Sequence, residues 1–209
     1  MIHIDQPLDW FNISIGEYLQ LQDILLDSDD LEKEDLVLQE IQVLYNQNPY
    51  NMAMPQFKKC LEGLKFLTKP IPKMKVKDKY MLNGNQYTLH KQLNEFKVAQ
   101  YLDYEQIMKD NKGVEAYPEF IALFLTPSSN ANYGDGYDVA AVVNDIRKYM
   151  SIADATAITA FFLNLSKAYI VRFLLSSRRM MKRNVQDRKT RKKLMHKTKK
   201  MIQMVIRGA

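Results

Sequence analysis

Lys79-Tyr-Met-Leu-Asn-Gly-Asn-Gln-Tyr-Thr-Leu89 is the stretch on which the fold turns. Asn83-Gly84 stands between two alternating arms rich in aromatic or β-branched residues. Asn-Gly takes the positive φ angles of a type I′ turn with little strain, so the segment predicts a tight β-hairpin whose register is carried by Tyr80, Leu82, Tyr87 and Leu89. The sequence on both sides has helical spacing. The fold class expected is therefore mainly α, with two similar helical units joined by a short β-hairpin and followed by a long basic C-terminal helix.

Upstream of the hairpin, Ile15, Tyr18, Leu19 and Ile24–Leu26 recur at helical intervals after Ser14-Ile-Gly-Glu17, a capping-box arrangement of hydroxyl and carboxylate. The acidic run Asp27–Asp35 reads as a turn and the dipole-favoured start of a second helix, Leu36 to Tyr45, which stops before Asn46-Gln-Asn-Pro49. A third helix is expected from Pro55 to Leu67, closed by Pro70 and Pro72. Downstream, helices are expected over Val98–Met108, Pro118–Leu125 and Asp138–Met150, the last after the turn-rich loop Thr126–Gly136. Ser151-Ile-Ala-Asp154 is another capping-box start. From 152 no breaker occurs before Gly208, so the helix either runs on into the C-terminal arm or bends near Ser176-Ser177.

An internal similarity relates the two halves. At an offset of 83 residues, Ile13, Ile15, Gly16, Tyr18, Leu19 and Ile24 fall on Phe96, Val98, Ala99, Tyr101, Leu102 and Ile107. Near offset 80, Ile41, Val43 and Leu44 fall on Ile121, Leu123 and Phe124. Pseudo-repeats over about 8–72 and 91–151 are the reading, with amphipathic helices of similar period as the alternative. The domain organisation is then a helical body, 1–177, and a basic arm, 178–209.

The chain has 209 residues, 46% of them hydrophobic, with only 7 Gly and 7 Pro, which excludes collagen-like, linker-like and low-complexity classes. Its net charge of +6 is unevenly spread. Residues 178–209 hold 13 Lys/Arg and one acid, Asp187, a net of +12, which leaves −6 on the body. An acidic or polyanionic partner meets the arm first. The single cysteine, Cys60, makes no internal disulfide and fits a reducing cytoplasm. MIHIDQPLDW lacks the basic and apolar regions of a signal peptide, and Ala153–Leu175 carries Asp154, Asn164, Lys167 and Arg172, so no membrane span is expected.

Motifs for chemistry are sparse. Cys60 lies in the amphipathic pattern Phe57, Cys60, Leu61, Leu64 and reads as a buried structural thiol, with only His3, His90 and His196 to serve it as bases. The acids at 27–35 fail the calcium-loop template, and Gly134-Asp-Gly136 lacks the strand and Gly-Lys-Ser/Thr that cradle phosphate. No cofactor or metal is expected, and an enzyme is not. The candidate site is the arm, through Arg178, Arg179, Lys182, Arg183, Arg188, Lys189, Arg191, Lys192, Lys193, Lys197, Lys199 and Lys200. No aromatic interrupts it for base stacking, and Leu194, Met201, Met204 and Val205 form a narrow apolar stripe. Three uses stay open: a solvated or partner-docked helix, contact with nucleic-acid phosphates, and binding at a membrane surface.

The order of segments resembles a family. Trp10 with NISIGEYLQLQDIL (12–25), then LKFLTKPIPK (64–73), the hairpin YMLNGNQYTL (80–89), LNEFKVAQYLDYEQIM (93–108) and GYDVAAVVNDIRKYMSIADATAITAFFLNLSK (136–167) are similar to tail-assembly-chaperone-like morphogenesis proteins of tailed phages infecting Bacteroides-type bacteria. The resemblance covers residues 8–170 and implies a helical, non-enzymatic, homo-oligomeric protein. Such a protein works through contacts with other phage structural proteins, in the virion and the host cytoplasm. The basic arm departs from that pattern. It suits a subunit retained in the particle, such as a head-to-tail neck ring of a crAss-like phage, that bridges neighbours or makes sequence-independent DNA contact.

Overall fold

The computed structural model describes residues 8–26, 32–92, 97–110, 113–127 and 138–167, with His196, Lys197, Lys199, Lys200, Met201 and Gln203. The chain divides into two units, Met1–Thr159 and Ala160–Ala209. It is mainly helical, with one small antiparallel sheet among the described residues.

Helix α1, Ile15–Leu26, starts at the predicted capping box. The Ser14 Oγ accepts from the Glu17 backbone N–H at 3.2 Å, and the Glu17 carboxylate accepts from the Ser14 N–H at 2.7 Å. Two of the four orphan donors at the helix start are thereby satisfied. Helix α2, Lys33–Tyr45, begins three residues before the expected Leu36, with Glu34 and Asp35 in the first turn where the helix dipole favours anions. It ends at Asn46, whose left-handed φ of 50° closes the last turn. A short 3-10 turn, Pro49–Asn51, leads to α3, Met54–Gly63. The expected run to Leu67 is helical throughout, but from Leu64 to Thr68 it tightens to 3-10 geometry.

The hairpin forms as predicted. Strands β1, Lys79–Leu82, and β2, Asn85–Leu89, pair with Tyr80 opposite Tyr87 and Leu82 opposite Asn85. Asn83 and Gly84 have φ of 50° and 75°, the two positive values a type I′ turn requires. Tyr80, Leu82, Tyr87 and Leu89 are all buried, so one face of the hairpin belongs to the core.

Helices α4, Val98–Asp110, and α5, Tyr117–Ala122, follow, separated by a 3-10 turn at Gly113–Ala116. The helix expected over Pro118–Leu125 stops three residues short. Leu125–Pro127 is instead a strand, β3, pairing antiparallel with β2 so that Leu89 faces Leu125 and Tyr87 faces Pro127. Pro127 has no N–H to give a ladder, which suits the last residue of an edge strand. The sheet order is β1-β2-β3. Helix α6, Val139–Tyr149, is capped by the Asp138 carboxylate, which accepts from the Ala141 N–H at 3.1 Å. A seventh helix, α7, occupies 152–167, and its course beyond 167 lies outside the described residues.

Two helices begin from one bridge. Ser14 and Ser151 form an isolated antiparallel pair, the Ile15 N–H donating to the Met150 carbonyl at 3.1 Å and the Ile152 N–H to the Ile13 carbonyl at 2.8 Å. At the second start the Ser151 Oγ accepts from the Asp154 N–H at 3.1 Å and donates to its carboxylate at 3.2 Å. Lys77 holds that carboxylate at 2.9 Å.

The core beneath this bridge gathers Leu8, Trp10, Ile13 and Leu21 with Ile41, Leu44 and Tyr45 of α2, Cys60 of α3, Leu64 and Phe66, and Ile152 and Ala153 of α7. Trp10 meets Phe66 edge to face at 4.9 Å and donates its indole N–H to the Lys69 carbonyl at 3.0 Å, which satisfies the one polar atom of a buried indole. A second layer comes from Phe120, Ile121 and Ala122 of α5, with Leu123–Leu125 and Val142 and Ile146 of α6. The hairpin is tied to α6 by Asp145, whose carboxylate accepts from the Tyr87 hydroxyl at 2.7 Å and the Asn83 side-chain amide at 3.2 Å.

Candidate interaction surface

Helix α4 is held by its first turn. The Gln100 side chain accepts from the Lys97 N–H at 2.9 Å, the reach-back half of a capping box, and donates to the Leu123 carbonyl at 2.7 Å. Gln100 is the one buried residue of this thirteen-residue helix. Tyr104 and Ile107 are half-buried, but Val98 is 77% exposed, Leu102 58% and Tyr101 52%, and Met108 is exposed too. Tyr101 donates to Glu105 at 2.8 Å, and that bond to an anion raises the phenol's pKa.

Beside α4 runs a hollow of about 320 Å³ between α4, α5 and α6. Ile107, Leu123, Val139 and Val143 line it, together with Asp103, Gln106 and Glu119. A second hollow of about 190 Å³ shares Ile107 and Glu119 and adds Asp110, Glu115 and Arg147. Of the five charged residues in the two walls, four are acids. Glu119 is the hinge between them. One carboxylate oxygen meets the Arg147 guanidinium at 3.4 Å, a loose contact; the other, Oε2, is shielded from solvent and has no hydrogen-bond partner among the described residues. The side chain as a whole is 42% exposed, so its charge stays partly hydrated.

Of the basic residues singled out in the sequence, Lys197, Lys199 and Lys200 are helical and exposed. Arg178, Arg179, Lys182, Arg183, Arg188, Lys189, Arg191, Lys192 and Lys193 lie outside the described residues. The acidic hollow was not foreseen. Its signal in the sequence is the spacing of Asp103, Asp110, Glu115 and Glu119 around an α4 whose apolar residues follow no single buried stripe.

Cys60 is fully buried, and burial pushes its thiol pKa up, the reverse of an activated thiolate. It raises Tyr45 as well, whose phenol is pushed up to about 12, by burial first and then by Cys60. His90 meets the Thr126 hydroxyl at 2.7 Å, across the strands β2 and β3. Among the described residues no group of three or more His, Cys, Asp or Glu could hold a metal ion, and no helix is long and apolar enough to cross a membrane. No protein-family model, curated protein or solved structure matches the chain.

Proposed function

We propose that the protein is a non-enzymatic assembly or structural subunit of a tailed-phage virion, acting through protein–protein contacts in the tail or head–tail connector region. It is a ring subunit or a tail assembly chaperone, it is homo-oligomeric, and it works in the host cytoplasm and the particle. The observation that carries this reading is the order of the resembling segments along residues 8–170, from Trp10 through the Asn-Gly hairpin to the segment ending Ala-Phe-Phe-Leu. The exposed apolar face of α4 supports it, because a helix that buries only a glutamine from its own fold has surface left for another chain.

Within this reading the body is built from two similar helical units joined by the hairpin, with a long basic C-terminal helix. The equivalent positions Glu17 and Gln100, 83 residues apart, support the duplication, since each reaches back from the third helical position to the N–H that precedes its helix. Mass spectrometry of purified virions tests the function. Stoichiometric abundance identifies a neck or tail component, absence from particles made by an expressing phage identifies a chaperone, and a chain encoded and used outside any phage overturns both.

A second reading rests on the arm's net charge of +12. Here residues 178–200 contact nucleic-acid phosphates without regard to sequence. Duplex affinity then falls steeply with salt, each lost contact reducing the log–log slope by about 0.9. Absence of duplex binding at low salt ends this reading.

A further inference from the structure

We propose that the connection leading into β1, residues 69–79, is a site for the phosphate backbone of double-stranded nucleic acid, bound without regard to sequence. The site belongs to the body and uses none of the arm's residues, and the inference rests on neither reading above.

Charge is the first observation. Residues 65–79 hold six lysines and one acid, Asp78, a net of +5, while the rest of the body, 1–64 with 80–177, has 11 Lys/Arg against 22 Asp/Glu, a net of −11. One short stretch of an acidic body is therefore strongly basic. Within it Lys73, Lys75, Lys77 and Lys79 stand at every second position.

The second observation is how that stretch is folded. All four lysines are exposed, and Pro72, Met74 and Val76 are half-buried, the period of two that extended backbone produces. Lys69 is extended, with φ −99° and ψ 145°, and both Lys69 and Ile71 precede a proline, which favours that conformation. Lys73, Lys75 and Lys77 thus share one face at intervals of about 6.6 Å. Successive phosphates of one nucleic-acid strand have a similar separation through space. The chain bends at Asp78, and Lys79 opens β1.

The stripe is also pinned and uncompensated. Ile71 and Met74 pack against the core, the Trp10 indole holds the Lys69 carbonyl at 3.0 Å, and the Lys91 ammonium donates to the Val76 carbonyl at 3.3 Å. A backbone already in place spares a ligand the cost of ordering it. Lys91 meets Asp78 at 2.6 Å, so the one acid of the stretch is matched from outside it. Lys77 holds Asp154 at 2.9 Å, and Lys73, Lys75 and Lys79 have no ion-pair partner among the described residues.

The chemistry of the stripe selects the duplex. A protein strand adding to an edge needs backbone N–H donors, and Pro70 and Pro72 supply none. A single strand is held by stacking its bases on aromatic rings, and a membrane surface by apolar side chains that enter it; from Lys73 to Lys79 the outward, odd-numbered positions hold only lysine. A duplex keeps its bases inside and presents phosphates, for which lysine serves as a point charge.

The test is a salt titration of the full chain on duplex DNA of mixed sequence. Lys73→Gln with Lys75→Gln and Lys79→Gln leaves Lys77 on Asp154 and should lower the log–log slope by about 2.7, at about 0.9 for each phosphate contact, with helical circular dichroism unchanged. Lys33→Gln with Lys58→Gln and Lys109→Gln removes the same charge from exposed positions elsewhere on the body and should leave the slope as it is in the unaltered chain. An unchanged slope in the stripe variant overturns the proposal, whether or not the arm binds DNA. An equal loss in the second variant overturns it too, since net charge alone then accounts for binding.

Acetylation of lysines in the full chain reads the contact directly. Duplex should protect Lys73, Lys75 and Lys79, and phosphatidylserine vesicles should leave them reactive. Protection by vesicles and not by duplex assigns the stripe to a membrane surface, and protection by neither leaves the lysines as guards against sheet-edge pairing; each overturns the proposal. Tighter binding of a single strand of equal length than of the duplex also overturns it.

Discussion

Helices α1 and α4 share a sequence pattern and have opposite fates. Ile15 and Val98 are each the first residue of their helix, yet Ile15 is sealed in the core at 0% exposure and Val98 stands 77% in solvent. Both helices start with a reach-back from the third helical residue, by Glu17 to Ser14 and by Gln100 to Lys97. What separates them is the company each keeps. The start of α1 is pinned to the start of α7 through the Ser14–Ser151 bridge, and α2 and α6 pack against it. The start of α4 is pinned by one glutamine to the Leu123 carbonyl, and its remaining length has few partners. A capping signal fixes where a helix begins, while the burial of its face is decided by elements distant in sequence.

Perturbations can break or sharpen this contrast. The largest is alkaline pH. Burial pushes Tyr45, Tyr80 and Tyr87 up to about 12 from an ordinary 10.0, Tyr87 with the added repulsion of Asp145. Their neutral forms are favoured by the folded state, so the stability they contribute is complete below pH 10 and is lost as pH rises toward 12. Tyr101 on α4 is exposed and should ionise without unfolding. Absorbance of phenolate followed beside circular dichroism should show a first phase with helix intact and a second coincident with unfolding; a single phase that leaves the helices intact would mean the three phenols are not buried.

Next, Ile15→Ala should cost about 2–5 kcal/mol, the range for emptying a buried aliphatic site. Denaturant titration measures it, and a cost as small as that of an exposed residue would remove the distinction between α1 and α4. Gly84→Val comes third. A Cβ at Gly84 meets no neighbour within 4 Å, so only the φ of 75° resists it, and a strain of about 1–3 kcal/mol is expected. Asparagine tolerates that backbone region, so Gly84→Asn should melt closer to the unaltered chain, and equal melting of all three proteins would mean that the turn is not type I′. Ser151→Ala should cost about 1 kcal/mol by removing the cap of α7. The smallest effect is expected for Val98→Ala, within about 0.5 kcal/mol. A larger loss in the purified chain, growing with protein concentration, would reveal that a second copy covers α4.

The hairpin was the most legible element because its information is local: two residues select the turn and the alternation selects the face. The caps at Ser14, Asp138 and Ser151 were legible for the same reason, each being a pattern within four residues. Strand β3 was not. Leu125-Thr-Pro127 is three residues long and follows Ile121–Phe124, whose spacing continues the helix of α5; only its pairing to β2, some 38 residues away, makes it a strand. The acidic hollow was illegible in the same way, since Ile107, Glu119 and Val143 come from three helices and no window of sequence holds them together. The reach-backs of Glu17 and Gln100, by contrast, are each local, spanning three residues.

The Ser14–Ser151 bridge also imposes a timetable on synthesis. Helices α1 to α3 leave the ribosome early, yet their core contains Ile152 and Ala153, and the Ala153 N–H donates to the Trp10 carbonyl at 3.4 Å. The wall around Trp10 stays open while the chain from Met74 to Ala153 is translated, roughly 4 to 16 s at elongation rates of about 5–20 residues per second. Until then the nascent helices expose the side of the core that α7 will cover. Closing a loop of this length is costly in chain entropy and comes late on the folding route. The emerging polypeptide is thus at its most adhesive just before the bridge forms, and anything that slows elongation through α5 and α6 lengthens that exposure.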